Sequence, residues 1–322
     1  MPLKTPSPLR YRILQPADGR YIGLGMFATA DFDVGDLILQ ERALLITTQF
    51  IPPGPNGYSA ADAALHMAVY EQMLPACRTA YLSLSNSFPS EQQEITGILN
   101  TNALYIGALP GYDGACGGVF NDISRINHSC CPNAVFRWDL ASFSGQVHAL
   151  APVRCGEQIY LSYVDMCNPR KVRQQLLLDK YKFHCTCASC MLRGAGSQYS
   201  DLRRAFIAAQ AAEDISERKT DDDVLAWTSN PALPERMLVD AAEIWLAWML
   251  EERVMEERLC RVVLSRLCKA YAALEDEEGV KRCARHAAAL EKAWIGHDGG
   301  WLAVAANPRN TLWWGLRTMP RF

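Results

Sequence analysis

Three cysteines within six residues place the strongest constraint on how this chain can fold. Cys185, Cys187 and Cys190 form a C-x-C-x-x-C segment, and thiols this close in sequence can all turn toward one metal ion. A closed tetrahedral zinc site needs a fourth ligand. The candidates by residue type are all outside this segment: Cys130, Cys131, Cys155, Cys167 and His184. The spacing therefore predicts a zinc site and leaves its fourth ligand open.

Composition favours a metal site over a disulfide scaffold. The chain has 322 residues and 12 cysteines, a share far below that of short disulfide-rich proteins. The first ten residues are polar and proline-rich, with no apolar run behind them. No apolar stretch approaches the roughly 20 residues that cross a bilayer. We therefore expect an intracellular protein, cytoplasmic or nuclear or both, with reduced cysteines and no membrane partner.

The charge balance argues against nucleic acid as a direct partner. Lys and Arg number 32 and Asp and Glu 35, which gives a net charge of -3 rather than a basic footprint. Hydrophobic residues make up 49% of the chain, as in globular proteins, which excludes disordered and low-complexity classes. At about 150 residues per domain, the length indicates about two domains.

Hydrophobic patterning divides the chain into a β-rich part up to about residue 192 and a helical part after it. Apolar runs at 37–39 and 44–46 have strand length, and those at 135–138 and 147–150 flank Ser144-Gly145, which predicts a hairpin with its turn there. Residues 51–59 are typical of a Pro/Gly loop, and helical spacing after them predicts an insert over about 55–102. The pattern at 267–290 predicts two helices joined by an acidic turn that ends at Gly279. The predicted fold class is α+β.

Four motifs in a fixed order give the chain a family resemblance. Residues 23–28 read G-L-G-M-F-A, and G-D-L-I at 35–38 is followed by Glu41. Residues 127–133 read N-H-S-C-C-P-N, residues 156–163 read G-E-Q-I-Y-L-S-Y, and the cysteine segment follows. In this order and spacing the sequence resembles the SET-domain methyltransferases.

The helical insert and the helical C-terminal region make the chain most similar to the SET-and-MYND subfamily. It lacks that subfamily's zinc module, because Cys77 and His66 are the only cysteine and histidine in residues 49–102, and in this it is similar to fungal-type SET proteins. The resemblance implies a SET-type β-fold with a knot-like crossing of the segments that contain Asn127 and Tyr163. It also implies an N-terminal tail over 1–10, a SET domain over 11–184, a post-SET zinc segment over 185–192 and an all-α C-terminal region over 193–322.

The resemblance implies two bound groups, S-adenosyl-L-methionine (SAM) and zinc. Phe183 would stack on the adenine, since an aromatic face suits a flat base. The implied cofactor-binding residues are Gly23, Leu24, Gly25, Asn102, Asn127, His128, Tyr163 and Phe183. In the family the cysteine of N-H-S-C completes the metal site, so the implied zinc ligands are Cys130, Cys185, Cys187 and Cys190, with Cys131 as the competing fourth ligand.

The implied catalytic residues are Tyr163, which would orient an amine against the methyl group, and Tyr181, which would line the channel by which the amine arrives. An amine with a pKa of about 10.4 loses its proton at pH 7 at a cost of about 4.6 kcal/mol, and a narrow aromatic channel lowers that pKa. The implied function is SAM-dependent N-methylation, with a protein lysine as the acceptor. The alternatives are a SET-fold enzyme that acts on a small-molecule amine and a SET-fold protein that binds without turnover.

Overall fold

Short strands that pair in small sheets make up the first half of the molecule. The structure is a computed structural model that describes residues 3, 8–15, 23–47, 60–212 and 217–319. The strands in this part of the chain are β1 (Tyr11–Leu14), β2 (Gly25–Ala28), β3 (Leu37–Glu41), β4 (Leu45–Thr47), β5 (Leu104–Leu109), β6 (Tyr112–Val119), β7 (Asn127–His128), β8 (Ala134–Asp139), β9 (Ser144–Ala149) and β10 (Tyr160–Leu161).

The strand pairing brings distant motifs together. Antiparallel pairing gives the sheets β1-β2, β3-β9-β8 and β4-β6-β5. The strands β7 and β10 pair in parallel, with Asn127 opposite Tyr160 and His128 opposite Leu161. The two segments for which a knot-like crossing is implied therefore lie side by side, while the crossing itself stays a prediction.

Helices form the insert and the C-terminal region, as the patterning predicts. Within the described residues they are α1 (Ala60–Glu71), α2 (Pro75–Leu82), α3 (Glu94–Asn102), α4 (Arg170–Tyr181), α5 (Ala188–Met191), α6 (Ala195–Ala212), α7 (Glu217–Ser229), α8 (Met237–Glu252), α9 (Glu257–Ala273), α10 (Glu277–Ile295) and α11 (Trp301–Ala306). The mixed fold class with a helical C-terminal region is confirmed. The predicted Pro/Gly loop at 51–59 lies outside the described residues, and none of the described helices has the length and apolar character to cross a membrane.

Two turn predictions are wrong in position. The hairpin of β8 and β9 exists, but Ser144 and Gly145 begin β9 and the turn falls at residues 140–143. Gly145 pairs with Trp138 of β8, and aromatic rings cover it, which is why a glycine stands there: a Cβ would lie 2.6 Å from the Phe136 ring and 2.8 Å from the Phe120 ring. Gly279 lies in the first turn of α10, since its backbone N–H donates to the Asp276 side chain at 2.8 Å and Asp276 caps the helix.

The C-terminal helices pack directly against the sheet β3-β9-β8. Helix α10 contacts β8 and β9, and the turn before β3 approaches its backbone closely. Gly35 has φ of +87°, and a Cβ there would lie 2.5 Å from the Ala289 carbonyl oxygen. Only glycine allows both this conformation and this approach, so the helical region is held against the β-rich part over a close backbone contact.

Candidate active site

Four buried cysteines from two segments meet at one point. The Sγ atoms of Cys130, Cys185, Cys187 and Cys190 all lie within 4.8 Å of one another. The Cys130 Sγ is 3.9 Å from the Cys185 Sγ and 3.6 Å from the Cys190 Sγ. Cys130 lies two residues after β7, and the other three cysteines lie in the segment that leads into α5 and in α5 itself. All four are reduced.

The geometry of this cluster suits a tetrahedral metal ion. Four thiolates at about 2.3 Å from a zinc ion stand about 3.8 Å apart, close to the two measured separations. Hydrogen bonds shared among the four sulfurs lower the pKa of Cys187 and Cys190 and raise the pKa of Cys130 and Cys185. Of the five candidates for the fourth ligand, the structure brings Cys130 into the cluster. The Cys131 sulfur instead lies 3.6 Å from the Arg204 guanidinium.

His128 links the cysteine cluster to Tyr163. Its Nδ1 accepts the backbone N–H of Tyr163 at 3.0 Å, and its Nε2 lies 3.2 Å from the Cys130 Sγ. Burial lowers the pKa of His128 to about 4, so the ring is neutral at pH 7. Because Nδ1 accepts a backbone proton, the ring hydrogen must reside on Nε2 and point at the sulfur.

An aromatic group surrounds this histidine. The Tyr163 ring lies 4.8 Å from the Tyr181 ring and 5.3 Å from the His128 ring, centroid to centroid. The Phe183 ring stands 6.2 Å from His128 and 6.5 Å from Tyr181. Helix α4 ends at Tyr181, and Lys182 takes a left-handed conformation with φ of 60°. This left-handed turn allows the rings of Tyr181 and Phe183 to pack in the same group of aromatic side chains.

The Tyr163 hydroxyl has a defined role as a donor. It donates to the Ile126 carbonyl oxygen at 2.6 Å. Burial, with a smaller effect of Tyr181, raises the pKa of Tyr163 well above its ordinary value. The phenol is therefore protonated at neutral pH, and its oxygen keeps lone pairs with which to accept a hydrogen bond.

The glycine motif at 23–25 packs against Asn127. The Asn127 Nδ2 donates to the Leu24 carbonyl oxygen at 3.2 Å. A Cβ at Gly25 would lie 2.8 Å from that Nδ2 and 2.3 Å from the Gln158 Nε2. Gly23 has φ of +117°, a conformation that side chains rarely adopt. The two glycines thus permit the approach and the turn that the resemblance assigns to this loop.

Two cavities meet at the tyrosines. The smaller, of about 360 Å³, is lined by Leu24, Asn127, His128 and Phe183 among others. The larger, of about 520 Å³, extends to Leu150, Met166 and Met255. The two share the lining residues Thr101, Asn102, Ser124, Tyr163 and Tyr181. A group that enters from either side can therefore reach the same aromatic pair.

The two cavities differ in chemistry. The larger one has mostly apolar walls, with Asp165 and Lys180 as its charged lining residues. Met255, which follows α8, is the residue by which the C-terminal region contributes to this wall. Among the residues that the structure describes, the lining of the smaller one includes the basic side chains of Arg125 and Lys182 and no Asp or Glu, so its charge suits a ligand that carries a carboxylate.

The structure also locates Asn102 and three residues to which the motifs assign no role. Asn102 donates from Nδ2 to the Ser85 and Ile98 carbonyl oxygens, both at 2.7 Å, so its amide oxygen is the atom left to meet a ligand. Ser124 donates to the Asn102 carbonyl oxygen at 2.9 Å and lines both cavities. Glu41 belongs to the second sequence motif. Its carboxylate accepts the backbone N–H groups of residues 121–123 at 2.9–3.1 Å, and these hydrogen bonds hold the turn before β7. Met255 carries no motif signal at all.

Comparison with known proteins gives the β-rich part a family match. Residues 23–164 match the SET domain family. This part of the chain is similar to a SET domain. The match begins at Gly23 and ends one residue after Tyr163, so it includes the glycine motif, the segment around Asn127 and the strand β10. The predicted resemblance to SET-domain proteins is confirmed.

Curated relatives match parts of the chain. The histone-lysine N-methyltransferase set5 of Schizosaccharomyces pombe is 30% identical over 187 residues, which are 58% of this chain and 53% of that protein. The N-lysine methyltransferase SMYD2 of Homo sapiens is 32% identical over 88 residues, 27% of this chain and 19% of that protein. The chain thus spans about half the length of the first relative and about a fifth of the second.

A solved structure aligns over more of the chain at low similarity. It is the SET domain of LSMT bound to lysine and AdoHcy, which aligns with 98% of this chain and 85% of its own. The sequences are 14% identical and the TM-score is 0.34.

Proposed function

We propose that this chain is a SAM-dependent N-methyltransferase whose acceptor is the side-chain amine of a lysine in another protein. The observation that carries the proposal is the pair of cavities that meet at Tyr163 and Tyr181. One cavity is lined by six of the eight implied cofactor-binding residues, Gly23 and Gly25 being the two outside its lining, and the other is a second approach to the same two rings. The relatives named as lysine methyltransferases support the choice of acceptor.

The smaller cavity is the proposed cofactor site. Its volume lies within the range of about 300–1,000 Å³ that ligand sites occupy. When bound, SAM supplies a methyl group already activated on a sulfonium. Asn127, the backbone of Leu24 and the amide oxygen of Asn102 would bind its polar part, and Phe183 would stack on its adenine. His128 would act by fixing the backbone of Tyr163, with no part in acid–base chemistry.

The larger cavity is the proposed acceptor site. Its apolar wall residues would lower the pKa of an entering amine, while the Asp165 carboxylate in the same lining would act in the opposite direction. The Tyr163 hydroxyl already donates to the Ile126 carbonyl oxygen, so its oxygen is left to accept a hydrogen bond from the amine and to orient the lone pair. Tyr181 would wall the passage between the cavities. Tyr163 would not act as a base, since its raised pKa keeps the phenol protonated.

We further propose that the four-cysteine cluster holds one structural zinc ion. The separation of the sulfurs and their burial support this choice. The ion would fix the segment from which Phe183 extends and, through Cys130 and His128, the backbone of Tyr163. The zinc would therefore stabilise the walls of both cavities without contacting SAM or the acceptor amine.

Transfer of a labelled methyl group from SAM tests the proposed function. The purified chain is incubated with labelled SAM and, separately, with core histones, a lysine-peptide array and a small-molecule fraction of a cell extract. We expect label on protein lysine, and a loss of about 100-fold or more in Tyr163→Phe with SAM binding retained. Tyr199→Phe is the matched control, since that tyrosine is 61% exposed on α6. Label confined to small molecules would overturn the protein acceptor, and SAM binding without any transfer would overturn the enzyme.

A further inference from the structure

The larger cavity is bigger than a lysine side chain. Its volume is about 520 Å³. A lysine side chain has five heavy atoms beyond the α-carbon, and if each takes the volume of a liquid water molecule, about 30 Å³, they fill roughly 150 Å³. More than half of the cavity is therefore free when an amine reaches Tyr163, so a second group of the acceptor fits beside the lysine.

The lining of this cavity includes three apolar residues that the smaller cavity does not share, Leu150, Met166 and Met255. We call them the distal subsite. Leu150 and Met255 are each 6% exposed and belong to the hydrophobic core of the C-terminal helices, and Met166 packs against that core. The distal subsite thus lies where the β-rich part meets the helical region. Met166 and Met255 are outside residues 23–164, which match the SET domain family.

One buried guanidinium fixes the backbone near both methionines of the distal subsite. Arg204 on α6 is 0% exposed. Its Nη1 donates to the Met166 carbonyl oxygen, and its Nη2 donates to the Glu252 carbonyl oxygen at 3.0 Å. Glu252 ends α8 and also pairs with this guanidinium through its carboxylate. Arg253 then turns the chain with φ of 51°, and Met255 follows two residues later. The two methionines therefore extend from a backbone that one ion pair holds in place.

The side chains of the distal subsite favour an apolar ligand. Leucine and methionine donate no hydrogen bond, so a polar group placed against them would lose its water without a full replacement. Methionine is also flexible, and its thioether packs well on apolar and aromatic groups. The charged lining residue next to Met166 in sequence is Asp165, and one of its carboxylate oxygens already accepts the Cys167 backbone N–H at 2.8 Å. This chemistry suits a leucine, methionine or phenylalanine side chain.

We propose that the distal subsite binds an apolar side chain of the substrate protein, beside the acceptor lysine. The inference rests on the proposed function and narrows its substrate class to lysines that have a leucine, methionine or phenylalanine close by in sequence. Met255 is then a specificity-determining residue that the helical region supplies. A lysine with polar neighbours still reaches Tyr163 but leaves the distal subsite empty, so its kcat/KM is lower.

Methyl transfer to designed peptides tests the distal subsite on the unchanged chain. Each peptide has one lysine in a glycine–serine background and one leucine, placed at one of the three positions on either side of the lysine. Matched sets carry serine or arginine in place of the leucine. With leucine at the best position, we expect kcat/KM to exceed that of the serine peptide by about 10–100-fold, which is the effect of burying one large apolar side chain.

Two substitutions locate this preference in the structure. In Met255→Ala and in Met166→Ala, the ratio of kcat/KM on the leucine peptide to that on the serine peptide should fall by about 3–10-fold, and Met255→Leu should retain it. Met319→Ala is the matched control, since that methionine of the same helical region is 58% exposed. Each ratio compares one protein with itself on two peptides, so a general loss of folding or activity cancels.

Equal kcat/KM for the leucine and serine peptides at all positions would refute the distal subsite and leave the methyltransferase proposal standing. Faster transfer to the arginine peptides would refute it as well, since Asp165 would then recognise the neighbouring residue. An unchanged ratio in both methionine variants would show that the preference arises elsewhere, which also refutes it. If the chain binds SAM but labels neither the peptides nor core histones, both the distal subsite and the protein-lysine acceptor are refuted.

Discussion

Substitution of Gly25 by alanine should disable the cofactor site with little effect on the rest of the fold. Gly25 is the first residue of β2, and its α-carbon faces two amide side chains. A Cβ at this position would lie 2.3 Å from the Gln158 Nε2 and 2.8 Å from the Asn127 Nδ2. Both distances are shorter than real contacts allow, so at least Asn127 must move.

The size of the effect follows from what Asn127 would lose. Its hydrogen bond to the Leu24 carbonyl oxygen, 3.2 Å long, and its proposed contact with the charged end of SAM both depend on its present position. A hydrogen bond to a charged group contributes about 1.5–3 kcal/mol, and each 1.4 kcal/mol is about tenfold in affinity. We therefore expect SAM affinity to fall by about 10–100-fold in Gly25→Ala.

Titration calorimetry with SAM measures this loss, and thermal unfolding measures the stability. Gly196→Ala is the control, since the nearest atom to a Cβ there is 3.9 Å away and alanine favours a helix. Adding Gln158→Ala to Gly25→Ala removes the nearest clash but leaves the clash with Asn127, so the affinity should stay low. Unchanged affinity in Gly25→Ala would refute the reasoning that this glycine exists to admit Asn127.

Three further perturbations test other parts of the account. Glu252→Ala leaves the buried Arg204 without its carboxylate, and denaturant unfolding should show a loss of about 3–5 kcal/mol. Burial raises the pKa of Glu41 to about 7, above its unfolded value of about 4.3, so the folded state binds the extra proton and stability falls as pH rises toward 7. Urea unfolding at pH 5 and pH 8 should show about 2–3 kcal/mol of this loss, and Glu41→Gln should not show it. Removal of zinc by a chelator should weaken SAM binding, because it releases the segment of Phe183, and unchanged calorimetric affinity would contradict that link.

Local patterns in the sequence predict those features that depend on local structure. Apolar runs of strand length give β3 and β4. The cysteine spacing predicts a cluster, but the fourth thiol stays open because residues 130 and 131 are both cysteines. Only the folded chain decides which of them points at the other three.

Features that depend on packing between distant segments cannot be predicted from the local sequence. Ser144-Gly145 is typical of a turn, yet Gly145 pairs with Trp138 in the sheet and lies under rings from β8 and from residue 120. Nothing in the sequence around Arg173 distinguishes it from a surface arginine, because it is buried where α4 packs on the segment of Ser189. Met255 joins the larger cavity only because α8 ends beside it.

The central claim is that one cavity holds SAM and the other admits an amine, with Tyr163 between them. A crystal structure of the zinc-loaded chain with S-adenosylhomocysteine tests it most directly. We expect S-adenosylhomocysteine in the smaller cavity. Asn127 and the Leu24 backbone should contact its amino-acid part, Phe183 should stack on its adenine, and its sulfur should point toward Tyr163. Binding of S-adenosylhomocysteine anywhere else, or no binding by a folded and zinc-loaded chain, would contradict the account.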